Sequence, residues 1–191
     1  MHFIVLGSGA IGSYIGGRLA AAGESVHLVG RPYQLQAMQG KGLRVTDLDG
    51  FAADVPSQQL QLAPDFQTAY MRLSQAERAN TAVLLCVKGG ATSAAAAEIA
   101  AYAEHGTTVV SFQNGVENVT RIQAAATHIE ALAGMVPYNV VMKTDAHVHR
   151  ATAGKLQLQT RAPGSSAGSA RPRVRRHRRG EVRPTTAPNE P

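Results

Sequence analysis

The sequence predicts an α/β fold built on a doubly wound, mainly parallel sheet with flanking helices. Three observations carry that prediction. Apolar, β-branched runs alternate with alanine-rich stretches of helical period. A glycine-rich turn, Gly7-Ser8-Gly9-Ala10-Ile11-Gly12, directly follows the first apolar run and opens the first helical stretch. The next strand pattern then closes a strand–helix–strand unit within about 30 residues, which requires a parallel, right-handed crossover. Together these define the Rossmann-type arrangement.

Taken in order, His2 to Leu6 reads as a buried strand. Ala10 to Ala22 reads as a helix with small residues on one side and Gly23 as its C-terminal stop. Ser25 to Val29 is the second strand, and Tyr33 to Gln39 a short helix ended by Gly40. Residues 42–47 and 51–55 form a hairpin on an Asp49-Gly50 turn. Residues 56–80 are polar and carry no clear period. Thr81 to Val87 is a continuous apolar strand, Thr92 to Tyr102 a helix, Thr107 to Phe112 a strand, and Val116 to Ala126 a helix. Ile129 to His149 and Lys155 to Gln159 are strand-like, with turns expected at Lys143-Thr144-Asp145 and Ala153-Gly154.

The 191 residues suffice for one domain plus a tail. Residues 1–160 hold 11 Lys+Arg and 11 Asp+Glu; residues 161–191 hold 8 Arg and 2 Glu, so the net charge of +6 lies entirely in the tail. That segment has no Leu, Ile, Phe, Met or Tyr and carries 5 of the 9 prolines, a composition that predicts disorder. The arginine run from Arg171 to Arg179 has no interleaved aromatic for base stacking, so it supports only salt-sensitive phosphate contact and no specific nucleic-acid partner. The single cysteine, Cys86, excludes an internal disulfide framework and a cysteine-based zinc site, and its place in an apolar strand reads as a small buried hydrophobe. No run is long enough to span a bilayer. The apolar N-terminus lacks a basic n-region and is broken by glycines, so a cytoplasmic protein is expected rather than a secreted or membrane one.

The glycine turn points to a dinucleotide. Gly7 permits the tight turn, Gly9 lets the backbone approach a pyrophosphate, and Gly12 lets helix and strand pack closely. The helix N-terminus offers free N–H groups and the positive end of its dipole to phosphate, and Ser8, Ala10 and Ile11 are counted with the three glycines as cofactor-binding residues. An NAD site would place a carboxylate at the end of the second strand; here the residues are Gly30-Arg31-Pro32. A guanidinium suits a 2′-phosphate, so NADP (NADPH) is the expected cofactor. His147 and His149 face one side of a strand and are assigned a structural role, with no metal expected.

These residues resemble the ketopantoate reductase (2-dehydropantoate 2-reductase) family. The likeness runs through Ile4 to Ser13, Gly30-Arg31-Pro32, Leu85-Cys86-Val87-Lys88, Ser111 to Asn118 and Gly154-Lys155-Leu156, in the family's order, over residues 1–160. The resemblance implies NADPH-dependent reduction of a small 2-keto acid, ketopantoate, to pantoate. It implies that Gly7, Gly9 and Gly12 hold the pyrophosphate, Arg31 the 2′-phosphate, Lys88 a place beside the cofactor, and Asn114 the cofactor–substrate junction. Asn114-Gly115 is equally a turn signal.

The family's second, helical half supplies a general-acid lysine and a substrate carboxylate; no lysine follows Lys155 here. The tail has the composition of an out-of-frame reading of GC-rich DNA, which predicts that a shifted frame of the coding DNA restores the helical half. Two readings therefore stand: a reductase of this type, acting on ketopantoate or another 2-keto acid, or a catalytically incompetent NADP-binding module. An apolar face left uncovered by a missing half would favour self-association.

Overall fold

The computed structural model describes residues 1–113 and 117–160. Asn114 and the segment 161–191 lie outside the described residues.

The main sheet has seven strands: β1 (His2–Leu6), β2 (Ser25–Val29), β5 (Leu60–Ala63), β6 (Thr81–Leu85), β7 (Thr108–Ser111), β8 (Glu130–Met135) and β11 (Gln157–Leu158). Their spatial order is β11-β8-β7-β6-β1-β2-β5. Every pairing is parallel except β11 on β8, an antiparallel edge. The order reverses beside β1, which places a crevice at the carboxyl ends of β1 and β6.

Alternation along the strands divides the core in two. On one face Ile4, Leu6, Val83, Leu85 and Val109 pack against Phe66, Tyr70, Ile99 and Ile122. Those last four belong to α3 (Phe66–Met71), α5 (Thr92–Tyr102) and α6 (Glu117–Ala125). On the other face Val5, Val26, Leu28 and Leu84 pack towards α1 (Ala10–Ala21). Two further helices connect strands: α2 (Pro32–Lys41) after β2 and the single turn α4 (Gln75–Arg78), closed by a Ser74/Glu77 capping box, before β6.

Beyond α1 lies a second sheet, β4-β3-β10-β9, formed by β3 (Leu43–Asp47), β4 (Ala52–Val55), β9 (Val140–Thr144) and β10 (His147–Arg150). The expected hairpin is β3–β4 with Gly50 at φ 86°. Its sheet partner was not expected: β10 runs parallel to β3, from Arg44 beside His147 to Asp47 beside Arg150. Helix α1 is therefore gripped from two sides rather than facing solvent. A methyl on Gly16 would fall 2.6 Å from Leu28 Cδ2 in one sheet, and one on Gly17 would fall 2.4 Å from Val45 Cγ2 in the other.

Two further differences have local causes. The stretch 129–149 is three strands, interrupted at residues 136–139, where Pro137 cannot join a ladder, and at 145–146. Lys143 and Thr144 lie within β9, so the turn falls one step later than expected. The unassigned segment 56–80 holds β5, α3 and α4. Asp65 caps α3 by accepting from the Thr68 amide at 2.6 Å, and this bonding holds its carboxyl below the usual range.

His27 sits in β2 at 1% exposure, with neither ring nitrogen bonded among the described residues. Burial, reinforced by Arg72 and His2 and opposed by Glu77, lowers its pKa to about 4. The folded state thus refuses a proton that the unfolded chain takes up below pH 6.5. Stability contributed by neutral His27 is complete above pH 6.5. It falls by about 1.4 kcal/mol per pH unit towards pH 4, about 3 kcal/mol in all. Urea unfolding at pH 7.5 and 5.0 should show this slope, and His27→Leu should lose most of it. An unchanged slope in the variant would refute the assignment.

Candidate cofactor site

Four strands end on one rim. Leu6 pairs Val29 on one side and Leu85 on the other, and Leu85 pairs Ser111. At about 4.8 Å per strand, the loops after β2, β1, β6 and β7 emerge along about 14 Å of sheet edge. The glycine turn, Arg31, Lys88 and Gln113 are brought together there.

The turn itself is tightly specified. Gly7 has φ 112°, and its amide and that of Ser8 both donate to the Val29 carbonyl, at 3.0 and 2.9 Å. A methyl on Gly7 would meet Cys86 C and Val87 N at 2.8 Å, and one on Gly12 would meet Gly7 O at 1.9 Å. These two glycines let β1, α1 and the end of β6 touch backbone to backbone. Gly9 differs: it is exposed, caps α1 without a side chain, and has no atom of the described residues within 4 Å of an added methyl. No acidic residue stands in the first turn and no side chain caps it, so among the described residues α1 opens without an anion of its own sequence at its first amides. That is a cradle suited to a phosphate. Ala10 and Ile11 stand in this first turn, half-buried.

Ser8 plays a different part. Its hydroxyl is buried and lies 3.3 Å from Gln34 Oε1 on α2, to which it donates. A methyl on Gly30 would fall 1.6 Å from that hydroxyl oxygen. Ser13 donates to the Ser8 carbonyl at 2.8 Å. Ser8, Ser13, Gly30 and Gln34 therefore lock the turn to the start of α2. Of these, sequence reasoning singled out only Ser8; the Gly30 contact had no local signal, since its partner lies 22 residues away.

Arg31 is exposed at the N-cap of α2, where its carbonyl accepts the Gln34 and Leu35 amides. Lys88 is exposed directly beyond β6, at the start of the 3₁₀ turn Gly89–Ala91. Neither side chain forms an ion pair among the described residues. Two unneutralised cations thus stand at the rim, one on the β2 side and one on the β6 side of the glycine turn. Cys86 lies beneath the turn, its Cβ close against Gly12, and burial pushes its thiol up to about 12, so it stays a neutral packing group. His147 Nε2 and His149 Nδ1 lie 3.0 and 2.9 Å from Thr46 Oγ1, tying β10 to β3 away from the rim.

A strand–glycine turn–helix at a switch point, with flanking cations at its rim, is the arrangement of a Rossmann-type domain, the class that accommodates dinucleotides. The model of the ketopantoate reductase PanE/ApbA family matches residues 3–163, so the chain belongs to that family. A curated relative, the 2-dehydropantoate 2-reductase of Pyrococcus abyssi, is 33% identical over 122 residues, covering 64% of this chain and 36% of the relative. The crystal structure of a PanE/ApbA family ketopantoate reductase from Ralstonia eutropha JMP134 superposes with TM-score 0.70 at 32% identity, covering 83% of this chain and 49% of that one. A D-mandelate dehydrogenase solved with NADH and anilino(oxo)acetate shares the fold, at TM-score 0.63 and 18% identity over 86% of this chain and 50% of that one. The chain thus spans half or less of the length of these relatives. Among the described residues no helix is long and apolar enough to cross a membrane.

Proposed function

We propose that this chain is the NADPH-binding half of a 2-dehydropantoate 2-reductase-type enzyme, acting on ketopantoate or a closely related 2-keto acid. The observation that carries the cofactor choice is Arg31, an exposed guanidinium without an ion-pair partner among the described residues at the end of β2, where an NAD site needs a carboxylate. In this reading the Gly7–Gly12 turn and the first amides of α1 hold the pyrophosphate, and Arg31 holds the 2′-phosphate. Lys88 and Asn114 flank the reacting end. When bound, NADPH supplies the hydride; the residues of this chain bind and orient it. Proton delivery to the developing alkoxide requires a donor. The resemblance assigns that donor to the relatives' other half.

Titration of the chain with NADPH and NADH, beside Arg31→Ala, tests the reading. The expected result is an NADPH dissociation constant on the order of micromolar, weakened about tenfold or more by the substitution, with NADH changed less than about twofold. Equal losses for both nucleotides would remove Arg31 from the 2′-phosphate. A ketopantoate turnover assay then separates an active reductase from a binding module.

A further inference from the structure

We infer that Gln113 is a positioning residue for Lys88, holding the turn that carries it through a two-pronged amide staple. The inference rests on the reading above, in which Lys88 serves the cofactor.

The turn after β6 is closed by two bonds of its own, from the Ala91 amide to the Lys88 carbonyl and from the Thr92 hydroxyl to the Gly89 carbonyl, each at 2.8 Å. It contains Gly89 and Gly90, around which an added methyl would meet no atom of the described residues within 4 Å, and Lys88 itself is exposed. Two adjacent glycines give the backbone wide conformational freedom. A further tie comes from just beyond the next strand. The Gln113 side-chain amide, one residue past the strand-end pair Ser111-Phe112, donates to the Val87 carbonyl and to Thr92 Oγ1, each at 2.8 Å. Val87 directly precedes Lys88, and Thr92 begins α5, so a single amide grips the turn at both ends.

The network leaves Gln113 only one orientation. A carbonyl such as that of Val87 can only accept. The Thr92 hydroxyl spends its hydrogen on the Gly89 carbonyl at 2.8 Å, with Asn118 Oδ1 at 3.4 Å as a longer neighbour, so towards Gln113 it accepts. Both acceptors therefore require the NH₂ end of Gln113, while Oε1 accepts from Ser111 Oγ at 3.3 Å. Thr92 is fully buried and Ser111 nearly so, which puts the staple in a low-dielectric setting where an unmet partner is costly. Glutamate has the same length but offers no donor, and its carboxylate would face the Val87 carbonyl.

The test uses the whole chain with Gln113→Met, which keeps length and removes both donors, and Gln113→Glu as a second variant. Trypsin cleavage at Lys88–Gly89 reads the staple without any ligand. It should rise about tenfold in both variants while cleavage at Lys41–Gly42 stays unchanged. NADPH and adenosine 2′,5′-bisphosphate, which carries the 2′-phosphate but no nicotinamide, are then titrated. NADPH affinity should fall about tenfold and that of the fragment less than about twofold. In a double-mutant cycle with Lys88→Met, the NADPH losses should be strongly non-additive, because Gln113 acts through Lys88. Additive losses, equal losses on both ligands, or unchanged cleavage at Lys88 would overturn the inference. If the unmodified chain binds neither ligand, the reading under Proposed function fails, and the cleavage rates still decide whether the staple exists.

Discussion

Asp47→Ala should destabilise the protein by about 3 kcal/mol, the cost of leaving the buried Arg150 with Asp49 as its remaining carboxylate and the Asp49 and Phe51 amides without their acceptor. Asp47 is buried at the end of β3, between α1 and the second sheet. Its Oδ1 accepts the amides of Asp49 and Phe51, both at 2.9 Å. Its Oδ2 accepts from Arg18 at 2.9 Å, and from Tyr14 and Arg150 at 3.3 Å. Burial alone would raise the carboxyl, but the Phe51 amide, Arg150 and the Asp49 amide outweigh it and hold it below the usual range. Arg150 is itself buried, also bonded to Asp49 and, through Nε, to the Tyr14 hydroxyl at 3.1 Å.

Because the carboxyl is depressed, its contribution is present above the unfolded value of 3.8 and is lost as pH falls through the folded one. Urea unfolding at neutral pH measures the loss. An apolar pair, Asp47→Leu with Arg150→Met, should recover much of it, since replacing both members removes the stranded charge. A double variant as damaged as the sum of the single ones would show that the two residues do not act as a pair.

The second large effect separates two glycines that a motif treats alike. Gly12→Ala should abolish tight NADPH binding, by about 100-fold or more, and cost about 1–3 kcal/mol of stability. The added methyl would sit 1.9 Å from Gly7 O and 3.1 Å from Cys86 Cβ. Neither can swing away, because one is backbone and the other lies next to it. The helix must therefore move off the turn. Gly9→Ala has no such clash, and its φ of −68° is one alanine adopts freely. It should leave the melting temperature nearly unchanged while weakening NADPH, because the methyl occupies the space a phosphate would enter. Melting curves paired with NADPH titrations check both. If Gly9→Ala bound NADPH as tightly as the parent, the cradle at α1 would not be where the pyrophosphate sits.

Much of this was legible in the sequence because the governing physics is local. The glycine turn, the α1 stop at Gly23, the Asp49-Gly50 hairpin and α5 are each decided by neighbours within a few positions. Arg31 was legible by contrast, as a cation where a related site needs an anion. The remainder depends on distant partners. Alternation in residues 43–47 and 147–150 marks strands, but nothing in either run says that they lie side by side. Gly30 looks like a loop glycine until Ser8 fills the place of its side chain, and Gln113 looks like a polar strand end until Val87 and Thr92 are placed beside it. Leu60 to Ala63 is too short, among polar neighbours, for its period to register.

The pairing of β3 with β10 also governs the order in which the molecule can assemble. The two strands are about a hundred residues apart, so during synthesis β3 and β4 are complete long before their neighbour leaves the ribosome. Until then the β3 edge of the hairpin stays open. The Asp47 carboxylate must also wait for Arg150. Closing that loop is an entropic cost met late, and it makes sheet closure the expected slow step of folding. A nascent chain arrested before residue 140 would carry the glycine turn and the β2 rim yet keep a sticky strand edge exposed, the form most open to chaperone capture or aggregation.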